Sequence, residues 1–508
     1  TIKAGMAEVV NGLEANGLEG GVLQAQDSST LATKDAPSMD KAIQQVGIGR
    51  TQWDLLVLCG LTFCSDAAEV TFLSYVTEVL KCEWGLTSSQ ETLITSAVFV
   101  GMIFGAPVWG FIADHMGRRP SFLVSSAVIT SFGFLTACSQ DFTQLLLCRA
   151  IVGFGVAGLP VGFDILAEAL PAEGRGKFLL YIEYFWTLGG IYVNCCAWGT
   201  LETAGWRVFT ALAALPTLIA SIAGYISLPE SPRWLMSGGR EKEALDIVNF
   251  WAKKNGQPSL HFTGFKADKE DEGDEGGHLK QLFTKRRLRT PMLLMAVVWF
   301  AFGVAYYGIV MLLPRIFESA SQVAGCEVGF EFTDLAIASA AEALGVALAI
   351  CLIDKPGRSV TQGIFYALGA AAALSLGFRN LGQVTLTIFA SIGRLAEMAG
   401  SCATWVHTPE LFPTQVRAEV HGVMNLASKV GAVFAPILIG PSFTQWQCGA
   451  IMATVSLLAA LCALCLPETA GIDLAEVDEG STTEGEEEVS SSDNNNNLSG
   501  DDTSDVAG

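Results

Sequence analysis

Gly110-Phe-Ile-Ala-Asp114-His-Met-Gly117-Arg118-Arg119 closes one long apolar segment, and Asp354-Lys-Pro-Gly357-Arg358 closes another with the same Asp-to-Gly-to-Arg spacing. Two more motifs recur in the same order. Glu168, Pro171 and Arg175 end an apolar segment that begins at Arg149; Glu410, Pro413 and Arg417 end one that begins at Arg394, with identical offsets. Leu228-Pro229-Glu230-Ser231 has its counterpart in Leu466-Pro467-Glu468-Thr469. Three paired motifs in one order mark a duplicated unit.

The segments between these motifs set the fold class. A bilayer-spanning helix needs about 20 mainly apolar residues. Twelve windows qualify, near 53–76, 90–112, 120–138, 143–168, 178–199, 207–228, 291–313, 334–353, 361–378, 383–405, 419–440 and 447–466. The expected architecture is an all-α polytopic membrane protein with twelve transmembrane helices in two six-helix pseudo-repeats. Residues 51–229 form the first bundle and 290–468 the second. Between them, 230–289 form a polar central loop with short helices, amphipathic at 240–255. Residues 1–50 and 469–508 read as disordered.

Composition agrees. Of 508 residues, 51% are hydrophobic and 16% charged, against about 25% charged in soluble domains. The mean hydropathy is +0.42. The net charge of −21 conflicts with a membrane body until it is placed along the chain: residues 471–508 carry twelve Asp and Glu and no Lys or Arg. This pattern excludes a soluble enzyme, a nucleic-acid binder and a disulfide-stapled secreted domain. With the N-terminus in the cytosol, the inner loops hold 19 Lys and Arg, and the outer loops only Lys81, Arg207, Arg315 and Arg379. Lys and Arg favour the cytosolic side, so both termini are expected there. The basic cluster Lys285-Arg286-Arg287 with Arg289 fits anionic lipid headgroups or a topology anchor equally well.

Paired motifs of this kind at the inner ends of helices resemble the major facilitator superfamily, over residues 51–468. The resemblance implies two bundles that alternate in opening to either side. It places Asp114, Arg118, Arg119, Glu168, Arg175 and Glu230 in a gating network for one half. Arg358, Glu410, Arg417 and Glu468 do the same for the other, with carboxylates of one half bonding guanidinium groups of the opposite half. Such bridges at the water interface are worth about 0–1 kcal/mol each, and topology-setting charge is the alternative reading. His115 stands where the family usually has Arg, and Ile350 where it has Gly.

Finer motifs narrow the branch. Cys82-Glu83-Trp84-Gly85-Leu86, Ile182-Glu183-Tyr184-Phe185-Trp186 and Pro229-Glu230-Ser231-Pro232-Arg233-Trp234-Leu235 occur in the first half. Trp299-Phe300, Tyr306-Tyr307-Gly308 and Thr408-Pro409-Glu410-Leu411-Phe412-Pro413-Thr414 occur in the second. Together they resemble the synaptic-vesicle-two-related and organic ion transporter branch. The Gln-Gln and Asn pattern of hexose porters is absent from the seventh span.

An ionisable residue inside a span is a functional candidate by default. Asp66 and Glu69 lie three residues apart on one helix face. Two carboxylates so close in a low dielectric do not both ionise easily, so one of them is a candidate to take up and release a proton. A hydrogen-bonded structural pair is the alternative. Arg149 is the natural partner of these acids, and Arg394 is its counterpart. Asp66, Glu69 and Arg149 are therefore the proton-coupling candidates, and acids at this spacing also resemble proton-linked aromatic-acid symporters. Lys429 lies mid-span, where the resembling family has an acid in cation carriers and a base in anion carriers. It implies an anionic substrate unless it neutralises a local acid. Glu183 and Glu342 either line the cavity or tie helices together. Trp186, Tyr306, Tyr307 and Trp405 are candidates to stack on an organic substrate, or are packing residues. Glu397, three residues beyond Arg394, reads as local charge compensation.

Most of the thirteen cysteines lie inside predicted helices. Cys82 and Cys326 fall on outer loops of opposite halves, and the reading is against a bridge because outward opening would part them. No metal spacing and no phosphate-binding glycine loop is present, so neither metal nor cofactor is expected. The expected function is secondary active transport of a small organic anion by proton symport, in a plasma or vesicle membrane. The alternatives are an organic cation or sugar carrier and a non-transporting receptor with the same fold. The expected partners are the lipid bilayer, the solute and protons, with no nucleic acid and an unknown protein partner for the tail.

Overall fold

The structure, a computed structural model, describes residues 37–258, 261–265, 286–319, 329–378, 380–412, 416–440 and 442–470. The acidic tail, the acidic run 268–275, Lys285, Cys326 and Pro413 lie outside them.

All twelve expected spans are helical. The first half comprises α2 (Arg50–Glu83), α3 (Ser88–Met116), α4 (Arg118–Ala137), α5 and α6 (Phe142–Val156, Pro160–Glu168), α7 and α8 (Arg175–Leu180, Glu183–Thr200), and α9 and α10 (Gly205–Ala213, Leu215–Ser227). The fourth span breaks at Pro160, which has no amide hydrogen to continue the ladder. The second half comprises α13 (Arg286–Ile316), α14 (Phe332–Leu352), α15 (Arg358–Leu376), α16 (Gln383–Glu410), α17 (Arg417–Leu438) and α18 (Gln445–Leu464). Two-residue strands β1 (Glu318–Ser319) and β2 (Gly329–Phe330) pair between α13 and α14. Nine spans among the described residues are long and apolar enough to cross a bilayer by composition alone. The fifth, tenth and eleventh are not among them. They carry Glu183, Arg394 with Glu397, and Lys429. The halves meet along α3 with α17, α8 with α14, and α2 with α13.

Three short helices lie at the end of the bundle that carries the paired motifs, here the motif end. The expectation of disorder over 1–50 fails at α1 (Met39–Val46), which Ser38 caps. Met39, Ala42, Ile43 and Val46 recur at helical spacing and are buried. They join a core with Ala244, Val248 and Trp251 of α12 (Glu241–Lys254), which follows α11 (Pro232–Ser237). Asn255 ties these pieces to α2, donating to the Val46 and Gly47 carbonyls and to Gln52, and accepting from the Thr51 amide.

The repeated motifs build the same knot twice. Arg118 pairs with Asp114 at 2.5 Å and Glu168 at 3.5 Å. Arg358 pairs with Asp354 at 2.7 Å and Glu410 at 2.8 Å. Ser231 donates to Glu168 as Thr469 does to Glu410. Glu230 accepts the amides of Arg118, Arg119 and Ser231, and Glu468 those of Arg358, Ser359 and Thr469. The partners lie within each half, where the sequence reading put them across halves. Each knot ties the ends of four spans together, because its acids come from helix ends of the same bundle. Arg175 and Arg417 cap backbone instead, donating to the Leu170 and Phe412 carbonyls five residues back. Arg119 donates to the Tyr225 carbonyl. At this end, one ion pair among the described residues crosses between halves, Lys177 with Asp354. Cys82 is disulfide-bonded; Cys326, which the sequence reading weighed as its partner, lies outside the described residues.

Gly117 and Gly357 make the knots possible. Their φ angles of 107° and 97° suit glycine, and a Cβ at either would meet the Glu230 or Glu468 carboxylate. Gly117→Ala and Gly357→Ala should each cost about 1–3 kcal/mol in backbone strain alone, seen as a lower thermal midpoint of the purified chain in detergent. Lys177 and then Arg358 hold the Asp354 carboxyl below its ordinary value. Burial pushes Glu468 up, but the amides of Arg358, Ala470 and Ser359 outweigh it and hold the carboxyl low. A carboxylate depressed in the folded state contributes stability above its unfolded value and loses it as pH falls through the folded one. The midpoint should stay level from about pH 7 to about pH 5 and fall below about pH 4. Asp354→Asn should lower the plateau and shrink that fall.

Candidate substrate cavity and its charge pairs

A cavity of about 50 Å³ lies between the halves, lined by Asp66, Glu183 and Trp186 from the first and Tyr306, Tyr307, Trp405 and Lys429 from the second. A water molecule takes about 30 Å³ of liquid, so the space holds water and no organic solute. The halves touch on both sides of it. Towards the motif end, the Phe163 ring lies 5.5 Å from Trp405 and 6.4 Å from His421. Towards the far end, Tyr75 packs on Phe330 and Phe332, and Asn194 donates to Ser339.

Lys429 and Asp66 face each other across the cavity. Their Nζ and Oδ2 atoms are 4.0 Å apart, with both side chains largely buried. Lys429 also donates to the Tyr307 hydroxyl at 3.1 Å. Bare glycine backbones bring Lys429 this close: a Cβ at Gly303 would strike the Ser428 carbonyl, and one at Gly431 the Phe300 carbonyl, so α13 and α17 touch directly. Asp66 Oδ1 is buried without a hydrogen-bond partner among the described residues.

Glu69 has a different environment from Asp66, although both lie on α2. Arg149 Nη1 donates to Glu69 Oε2 at 2.7 Å, and both side chains are sealed inside the first half. Arg149 also donates to Thr136 from two nitrogens and lies over the Phe72 ring. The two acids thus do not share one site: Asp66 faces the opposite half, and Glu69 is locked in its own.

Arg394 pairs with Glu342 at 3.0 Å in the second half. Tyr306 donates to the same Glu342 oxygen at 2.7 Å, and Trp186 donates in turn to Tyr306. Glu342 was expected as a possible cavity residue, but it is fully buried behind Tyr306 and does not line the space. Glu397 is not compensated by Arg394. It accepts from Ser456 of α18 at 2.6 Å, because a three-residue offset places it on the α18 side of α16. Glu183 lines the cavity, and no ion pair among the described residues includes it.

Sequence reasoning missed Trp299, Asn425 and Ser428, which also line the cavity, because apolar and small polar residues in a span carry no signal of their own. It also missed a polar cluster at the far end. Lys81 bridges Glu78 at 3.7 Å and Glu91 at 3.1 Å, while Arg315 of the other half reaches Glu78 at 3.4 Å and the Ile439 carbonyl at 2.6 Å. Lys81 and Arg315 were legible only as loop charges, since Glu91 reaches Lys81, and Glu78 reaches Arg315, from another helix.

Residues 52–480 match the family model described as "Sugar (and other) transporter". The chain is 32% identical to the synaptic vesicle 2-related protein of Xenopus laevis, over 84% of this chain and 79% of that protein. It is 29% identical to organic cation/carnitine transporter 7 of Arabidopsis thaliana, over 86% and 96%. In structure it resembles the inward-open xylose transporter XylE from E. coli, with a TM-score of 0.66 and 20% identity over 84% of this chain and 99% of that one. The chain belongs to the sugar and other transporter family of the major facilitator superfamily, whose members are membrane transporters of small solutes and not enzymes.

Proposed function

We propose that this transporter carries a small organic anion together with a proton, by alternating access, with the motif end facing the cytosol. The Lys429–Asp66 pair across the cavity supports the reading most directly. An ionised Asp66 neutralises Lys429 and leaves no unbalanced charge for an anion to meet. A proton on Asp66 releases Lys429, and a substrate carboxylate then restores neutrality. Proton and anion thus favour each other's binding, which is the thermodynamic content of symport. Tyr307 steadies the ammonium, and Trp186, Tyr306 and Trp405 supply aromatic surface for an organic body. The membrane is that of a vesicle or the cell surface; relatives named for synaptic vesicles support the first.

Glu183 supports a second reading. An acid among aromatic rings, in no ion pair among the described residues, is suited to an organic cation, and one relative is named as an organic cation/carnitine transporter. Uptake into proteoliposomes under an imposed pH gradient separates the two. Labelled benzoate-type acids should accumulate with inward proton flow, and amines or hexoses should not compete. Amine accumulation would establish the second reading in place of the first. A protein that moves no solute and no proton is not a transporter.

Asp66→Asn should abolish gradient-driven accumulation while counterflow exchange persists; undiminished accumulation would remove the coupling role. Lys429→Asp should lower anion uptake about tenfold or more, equivalent to at least about 1.4 kcal/mol of lost binding. If anion preference survives that substitution, the charge logic is wrong.

A further inference from the structure

A second cavity is larger than the central one. A groove of about 370 Å³ lies at the motif end between α2, α10 and α12, within the range of about 300–1,000 Å³ found for small-molecule sites. Its floor is apolar, from Leu58 and Leu61 of α2 and Ala223 of α10. At its rim Val57 and Phe250 are 51% and 60% exposed, and the surface continues along α10 through the exposed Ile219, Ile222 and Ile226. On a membrane-spanning helix such a face meets acyl chains, so the groove opens sideways into the bilayer. The position of α12 agrees. One side of this helix is buried against α1, yet Phe250 projects from the other, as in a helix lying at the membrane interface.

One end of the groove is polar. Lys254 Nζ lies 2.7 Å from Asp54 Oδ2, both partly exposed. Thr51 lines the same end, is 3% exposed, and its Oγ1 is buried without a hydrogen-bond partner among the described residues. An unused hydroxyl, a base and an acid at the mouth of an apolar trough match the two chemistries of an amphiphile. The acid beside the base leaves that end without net charge, which disfavours an anionic headgroup.

We propose that this groove binds one zwitterionic glycerophospholipid from the leaflet at the motif end. Its phosphate meets Lys254 and Thr51, its amine meets Asp54, and an acyl chain lies along Leu58, Leu61 and Ala223. The occupant holds α12 against α2, the helix that also carries Asp66.

Native mass spectrometry of the full chain, stripped in detergent and offered phosphatidylcholine, phosphatidylethanolamine or phosphatidylglycerol, tests the site. One zwitterionic lipid should be retained about fivefold better than phosphatidylglycerol, the effect of about one interfacial charge. Ala223→Trp, which fills the groove, should abolish retention, and Thr51→Val should weaken it several-fold without changing side-chain shape. Asp54→Asn should move the preference toward phosphatidylglycerol. A diazirine-bearing phosphatidylcholine should label residues 55–61 or 219–229. Equal retention of all three lipids, retention unaffected by Thr51→Val, labelling spread evenly over the lipid-facing helices, or a second copy of the chain covering the groove would each overturn the proposal.

Discussion

A charge held inside the hydrocarbon of a bilayer costs several kcal/mol unless another charge or a set of dipoles answers it, and the interior follows this constraint. Arg149 is answered by Glu69 and Thr136, Arg394 by Glu342 and Ser339, and Lys429 by Asp66 and Tyr307. The first two pairs join helices of the same half. The third joins α2 to α17 and so depends on how the halves sit. Two pairs that withstand rearrangement flank one that cannot.

The same division runs along the length of the bundle. The motif knots at Arg118 and Arg358 fasten span ends within each half, and each half can therefore move as a body. Beside the Trp186–Tyr306 and Asn194–Ser339 hydrogen bonds, three ion pairs among the described residues join the bodies: Lys177 with Asp354 at the motif end, Asp66 with Lys429 in the middle, and Glu78 with Arg315 at the far end. The outer two are partly exposed, where such pairs contribute about 0–1 kcal/mol. A small bias on terms of that size is enough to shift the populations of two conformations.

Much of this was legible in the sequence because it was written twice. Recurring Asp, Gly, Arg, Glu and Pro at fixed offsets located the span ends, and twelve apolar windows followed. What single-sequence reading could not supply was direction around a helix. Asp66 and Glu69 looked like one site, but about 100° per residue turns a three-residue offset far enough for one to face the opposite half and the other its own bundle. Glu397 was misplaced, and Glu342 left between two readings, for the same reason: a buried acid announces itself without naming its partner, and Tyr306 and Ser456 come from other helices. The short helix at Met39–Val46 was a different kind of miss. Met39, Ala42, Ile43 and Val46 do carry the 3–4–7 spacing of an amphipathic helix behind a Ser38 cap. The signal was present and was masked by the acidic, glycine-rich residues around it.

The choice of base at each buried pair bears on which one can take part in a cycle. A guanidinium is never deprotonated in a protein, and Arg149 and Arg394 each reach their carboxylate through one nitrogen inside a single half. Arg149 and Arg394 therefore hold Glu69 and Glu342 as fixed counter-ions whichever way the halves tilt. Lysine presents a single compact ammonium on a flexible stem, and at 4.0 Å Lys429 is close to Asp66 without closing a hydrogen bond to it. Asp66 Oδ1 meanwhile has no partner to lose among the described residues. In the proposed cycle the exchangeable site is the pair with the longer contact and the water-sized cavity beside it. The stronger pairs serve it by staying shut, since an arginine released into the same cavity would compete with Lys429 for the anion and uncouple its binding from the proton.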